Sequence, residues 1–147
     1  MSAVEIVDAY LAGLPRPSRR LAHAEWGLTL DAEAAAGRPL DVGVRIADEL
    51  VRAQAPAVGA DPALDPWLFL HWNRQTRLVR FASTRAGDIW VHADVAVAGL
   101  DARAVDRLLG LLVQGAVRAR EYADAAADAS ATERSRLSGA TRPPAAG

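Results

Sequence analysis

Residues 78–97 read LVRFASTRAGDIWVHADVAV, two apolar strand-like runs around Arg85-Ala86-Gly87. In the second run Ile89, Val91, Ala93, Val95 and Val97 share one face by the period-two rule, and Trp90, His92 and Asp94 take the other. In the first run the matching set is Val79, Phe81 and Ser83, which turns Arg80 away from the core. A two-residue loop at Ala86-Gly87 would set Arg80 opposite Ala93 on the apolar face, because a slip of one residue inverts the pattern. A three-residue loop with Gly87 in the left-handed position instead pairs Val79 with Ala93, Phe81 with Val91 and Ser83 with Ile89. The second register is the one expected.

Working outward from this hairpin, Leu100 and Val105 bracket an N-cap at Asp101, and Val105, Leu108, Leu109, Leu112, Val113 and Ala116 mark one face of a long helix to about Tyr122. YADAAADAS could prolong it. Residues 130–147 lack apolar periodicity and are expected to be disordered. Upstream, Asp65-Pro66 is a helix start, so a short helix is expected from about Pro66 to Gln75. It carries Trp67, Leu68, Phe69, Leu70 and Trp72 nearly all round, which requires burial on several sides or cover from another chain.

Val42, Val44 and Ile46 match Ala55, Ala53 and Val51 if Asp48-Glu49 forms a two-residue turn, with Pro56 closing the strand. Glu49 is a poor residue for positive φ, and Arg45 falls opposite Arg52. A single half-buried strand is expected from Leu21 to Asp31, preceded by a PRPSRR linker and followed by a loop from Ala32 to Pro39. Ala3, Ile6, Val7, Tyr10, Leu11 and Leu14 give a one-sided helix over 2–14. The expected fold is α+β, with a five-stranded antiparallel-rich sheet covered by N- and C-terminal helices, in the order α-β-β-β-α-β-β-α. Residues 1–122 form a single domain in this reading, and 123–147 a helix extension and an Ala/Ser/Pro-rich tail.

A chain of 147 residues has room for one real core. Its net charge of −1 carries no general nucleic-acid signal, and no nucleic-acid partner is expected. The absence of cysteine excludes disulfides and thiolate chemistry, and the absence of lysine excludes Schiff-base and P-loop chemistry. Glu5 and Asp8 precede the apolar residues of the first helix, unlike a secretory signal, and no stretch approaches the roughly 20 apolar residues of a membrane span. The expected location is the cytoplasm, with no membrane partner.

Catalytic patterns are lacking. His23, His71 and His92 show no metal-ligand spacing. The HWN string at His71 to Asn73 invites a catalytic reading with Asp94 or Asp88 as orienting carboxylate, but no nucleophile accompanies it, and no Gly-x-Ser-x-Gly elbow occurs. Gly110 and Gly115 lie in the last helix, where close packing explains glycine. Asp101 and Asp106 suit a helix start, and Arg103, Arg107, Arg118 and Arg120 read as a solvated helix face. No catalytic, metal or cofactor site is expected, and the chain reads as a non-enzyme.

The strings DELVRAQAPAV, WLFLHWNRQTRLVRFA, GDIWVHADVAVAGL and AVDRLLGLLV, between Asp48 and Tyr122, resemble the YbjN-like branch of the type III secretion chaperone-like fold. Asn73, Gly87-Asp88, Asp106, Leu109 and Gly110 carry the likeness, and Asp48-Glu49 departs from it where the family often has glycine. The resemblance implies a bacterial homodimer that binds a polypeptide partner, with chaperone-like rather than catalytic residues. Trp67, Trp72 and Trp90, with Arg80 and His92, are the candidate partner or dimer contacts, each tryptophan being either such an anchor or simply core. The alternative is a small-molecule-binding protein or small enzyme with a pocket on the sheet face of Arg80, Trp90 and His92, arginine orienting an anion and tryptophan a planar group.

Overall fold

Val79, Phe81, Ile89, Val91 and Ala93 are all buried, on one side of a hairpin whose register pairs Val79 with Ala93, Phe81 with Val91 and Ser83 with Ile89. Thr84 N donates to Asp88 O at 2.9 Å and closes the strands around Arg85-Ala86-Gly87, where Gly87 has φ +96°. Glycine is required there because L side chains rarely adopt that conformation. The expected three-residue loop is therefore the one formed. Ser83 keeps its register but is exposed at the strand end.

The computed structural model describes residues 1–140. Its elements are α1 (Ala3–Ala12), β1 (Ser18–Ala22), β2 (Glu25–Leu30), a 3-10 turn (Ala32–Ala34), β3 (Leu40–Ala47), β4 (Leu50–Val58), α2 (Pro66–Asn73), β5 (Val79–Ser83), β6 (Ile89–Ala96) and α3 (Ala102–Ala140). The sheet is antiparallel throughout, in the order β1-β2-β3-β4-β6-β5. Trp26, Leu28 and Leu30 of β2, Val42 and Val44 of β3, and Val51, Ala53, Ala55 and Ala57 of β4 extend the apolar face begun by the central hairpin. Helix α3 lies along β4, β6 and β5 and closes this face with Val105, Leu108, Leu112, Ala116 and Ala119. Burying a Val or Leu side chain stabilises by about 1.5–3 kcal/mol, so this layer is the main source of stability.

The sheet has six strands, not the five expected. Part of the presumed PRPSRR linker forms β1, joined to β2 by a turn at His23-Ala24, with Ala22 opposite Glu25. β1 is an edge strand whose side chains are mostly exposed, so it has no buried face to impose alternation. The Asp48-Glu49 turn forms as expected, with φ of +52° and +59°, values of the type I′ hairpin turn. Both adverse features persist, since glycine is absent and Arg45 stands opposite Arg52. β4 does not stop at Pro56. It continues to Val58 through a register irregularity, the setting in which a strand tolerates proline.

Capping follows the sequence signals. Asp65 Oδ1 accepts from Trp67 N at 3.0 Å with Pro66 at the start of α2, and Asp101 Oδ1 accepts from Ala104 N at 2.8 Å below the buried pair Leu100 and Val105. α3 is 39 residues long and runs to Ala140, through much of the segment expected to be disordered. Its part beyond residue 130 is exposed on all sides, so it continues the helix without an apolar stripe, following the alanine-rich turns at 123–129. The rest of the expected tail, residues 141–147, lies outside the described residues.

Of the two glycines singled out in α3, Gly115 serves close packing and Gly110 does not. A Cβ on Gly115 would stand 3.0 Å from Val79 Cγ1 and 3.1 Å from Val91 Cγ1, whereas one on Gly110 would meet nothing within 4 Å. Arg120 also departs from the expected solvated face. It is 5% exposed, and its guanidinium donates to Ala57 O at 2.9 Å, Ala35 O at 2.6 Å, Pro39 O at 2.9 Å and Arg38 O.

Helix α1 is tied by polar bonds as well as by buried Val7 and Leu11. Asp8 accepts from Trp26 Nε1 at 2.6 Å and pairs with Arg20 at 2.8 Å. Tyr10 Oη donates to Asp106 Oδ1 at 2.7 Å, and desolvation followed by this bond pushes the phenol pKa up to about 12. A raised folded-state pKa stabilises the protein below the unfolded value of about 10, and that contribution is lost between pH 10 and 12. In ultraviolet titration at 295 nm, the protein is expected to show a tyrosinate step near pH 12 that Tyr10→Phe removes. A Tyr10→Phe variant with an unchanged high-pH step would refute the assignment.

Candidate protein-binding surfaces

Two faces of the fold carry the residues singled out from the sequence, the outer side of α2 and the open face of the sheet. Phe69 and Trp72 turn inward, where their rings pack with Phe81 and Tyr122 at centroid distances of 5.3 to 5.7 Å, and the two rings themselves are 5.4 Å apart. Arg118 stacks its guanidinium 4.1 Å from the Trp72 ring. Trp72 is 9% exposed and belongs to the core of this chain. Trp67 is 75% exposed and Leu70 55%, so the opposite side of the same helix offers apolar surface to solvent. The helix is thus apolar nearly all round because one side meets the aromatic cluster and the other is uncovered.

Asn73, at the end of α2, closes the neighbouring sheet edge. Its Nδ2 donates to Phe81 O at 3.1 Å, and its Oδ1 accepts from Phe81 N at 2.8 Å. Thr76 Oγ1 donates to Val79 O at 2.6 Å. Phe81 N, Phe81 O and Val79 O of β5 are therefore already bonded by side chains and are not free to pair with an added strand. The sequence marked Asn73 only through the family likeness, since nothing in its local pattern reveals a partner eight residues on.

The face of the sheet opposite the helices is a groove of about 670 Å³ that extends from Leu21 and Glu25 across β3, β4 and β6 to Arg80 and Ala82. Arg80 donates to Asp94 Oδ2 at 2.7 Å, and Arg52 Nε approaches Asp94 Oδ1 at 3.5 Å without forming a hydrogen bond. Arg80 lies opposite His92 and Ala82 opposite Trp90, as the hairpin register requires. Trp90 and His92 have ring centroids 6.3 Å apart. Desolvation lowers the His92 pKa below the ordinary histidine value, against Asp94, which raises it, and with Arg80, which lowers it, so His92 is neutral at pH 7.

The structure thus brings Arg80, Trp90 and His92 together, places Trp67 on a different surface and puts Trp72 inside. Arg45, Arg52 and Leu70 were not singled out as contacts. The opposition of Arg45 and Arg52 was legible as an anomaly of the hairpin, which is the one signal that could have found them. His71 lies on the exposed side of α2 beside Gln75 at 3.2 Å, while Asp94 is engaged by arginines and Asp88 accepts from Ala60 N, so neither carboxylate is paired with His71. Among the described residues no cluster of histidine, aspartate and glutamate could hold a metal ion, and no helix is long and apolar enough to cross a membrane.

This architecture is that of the type III secretion chaperone-like fold. The chain is similar to a protein solved in the ExsC–ExsE complex (20% identity, TM-score 0.61, covering 82% of this chain and 96% of that one). It is similar also to the Yersinia pestis type III secretion chaperone SycH, solved with a fragment of YscM2 (13%, TM-score 0.58, 80% and 98%), and to a chain of the HopA1–SchA chaperone–effector complex (10%, TM-score 0.63, 80% and 91%). At these identities the likeness is one of fold. The chain belongs to the YbjN family, whose model, described as "Putative bacterial sensory transduction regulator", matches residues 43–125. No curated protein matches it.

Proposed function

We propose that this chain is a non-enzymatic protein-binding module that acts as a homodimer and holds a segment of another polypeptide. The observation that carries the reading is the two-sided character of α2, which commits Trp72 to its own core and leaves Trp67 and Leu70 uncovered on a rigid element. Large exposed aromatics on ordered helices dominate contact energetics once desolvated. We assign Trp67 and Leu70 to the contact between copies, and the open sheet face, with Arg80, Trp90 and His92, to the polypeptide partner. The fold shared with chaperones solved in complex with polypeptides supports the partner class. The closed β5 edge supports binding through side chains rather than by strand addition there.

Light scattering on the full chain is expected to give twice the subunit mass. Trp67→Glu is expected to give the subunit mass with unchanged circular dichroism, because a charge replaces an apolar anchor without touching the core. A monomeric wild-type chain, or a Trp67→Glu variant that stays dimeric, would overturn the assignment of α2.

A further inference from the structure

The open sheet face breaks a rule that sheets ordinarily keep. Arg45 and Arg52 are directly opposite on β3 and β4, an arrangement that like charges disfavour. Only one of the two is compensated from within the described residues. Asp94 serves Arg52 and Arg80 together, while Arg45 has no carboxylate within 4 Å, although Glu25 is its neighbour across β2. Arg52 Nε is buried without a hydrogen bond. At the far side Arg19 and Leu21 lie over Gly27 and add a further cation and an exposed apolar side chain. Guanidinium groups so arranged suit carboxylates, which can accept two of their donors at once.

Building on the polypeptide-binding reading above, we propose that this groove takes an extended polypeptide segment bearing acidic side chains, with Arg45, Arg52 and Arg80 as its carboxylate contacts. Length selects a segment over a small anion. From β3 through β4 and β6 to β5 is three strand spacings, about 14 Å, more than one carboxylate can span. An extended chain presents same-side residues about 6.7 Å apart, so acidic side chains at alternate positions over five residues cover about 13 Å, close to the whole span from Arg45 to Arg80. The acidic residues of α3 cannot occupy the groove, because α3 covers the other face of the sheet.

The test uses the full chain and fluorescein-labelled twelve-residue peptides of alternating Glu-Ser, Gln-Ser and Lys-Ser, read by anisotropy, with free glutamate and citrate as competitors. The Glu-Ser peptide is expected to bind about tenfold or more tightly than Gln-Ser, a preference that weakens with added salt. Arg45→Gln is expected to lower Glu-Ser affinity about tenfold with an unchanged melting temperature, and Arg45→Glu to shift the preference toward Lys-Ser. Arg80→Gln serves as the second variant. Equal binding of Glu-Ser and Gln-Ser, both lost on Trp90→Ala, would overturn the acidic preference and leave the polypeptide reading standing. Binding of citrate as tight as that of the peptide would overturn the segment in favour of a small anion. Failure of every peptide to bind would overturn both readings.

Discussion

Replacing Arg120 with methionine is expected to destabilise the chain by about 3 kcal/mol or more, the largest effect of any single surface-coded residue in α3. Methionine fills a similar volume, so the loss isolates the guanidinium from its packing. Four carbonyls, of Ala35, Arg38, Pro39 and Ala57, would lose their donor at once, and hydrogen bonds from a charged group contribute about 1.5–3 kcal/mol each before any relaxation. Some of the loop can turn to water, since Arg38 and Pro39 are exposed, which is why the expected figure is well below the sum. Arg120→Lys should recover only part of the stability, because one ammonium cannot fork to acceptors on a loop and a strand. Urea denaturation of the three proteins measures this. An Arg120→Met variant within about 0.5 kcal/mol of wild type, the range of ordinary surface substitutions, would show that the loop is not held by α3.

Two tryptophans of one short helix are expected to behave in opposite ways. Trp72→Ala should cost about 3–5 kcal/mol, the range for removing a large buried aromatic, and should loosen Phe69, Phe81 and Tyr122 together. It also removes the ring beneath the Arg118 guanidinium. Trp67→Ala should leave the unfolding free energy of the isolated subunit within about 0.5 kcal/mol, because the side chain is uncovered there, while weakening association of the copies. Chemical denaturation across a range of protein concentrations separates the two effects, since a dimer contact makes apparent stability concentration-dependent. A large loss in the dilute subunit for Trp67→Ala, or a small one for Trp72→Ala, would reverse the assignment of core and contact.

Both expectations depend on facts that periodicity does not carry. Alternation was enough to set the register of residues 78–97, because a one-residue slip would place Arg80 in the core. It was enough for the Asp48-Glu49 turn, where the pairing of Val44 with Ala53 and Ile46 with Val51 outweighed two residues in left-handed conformation. It was silent on β1, whose exposed side chains impose no pattern, and so the sheet has a sixth strand. Composition misled in the last helix, where an apolar stripe ends near Tyr122 but α-helical hydrogen bonds run on to Ala140.

The candidate surfaces divide in the same way. Local sequence determined which side of each strand Arg80, Trp90 and His92 take, and which helix carries Trp67 and Trp72, because side-chain direction along a regular element follows from its period alone. Tertiary structure decided which tryptophan is core, that Asn73 seals the β5 edge, that Arg120 is an internal tie rather than a solvated charge, and that Arg45 and Arg52 share a groove with Arg80. Each of these depends on what a second element brings within contact distance, and that is a property of packing between segments far apart in the chain rather than of any one segment's pattern.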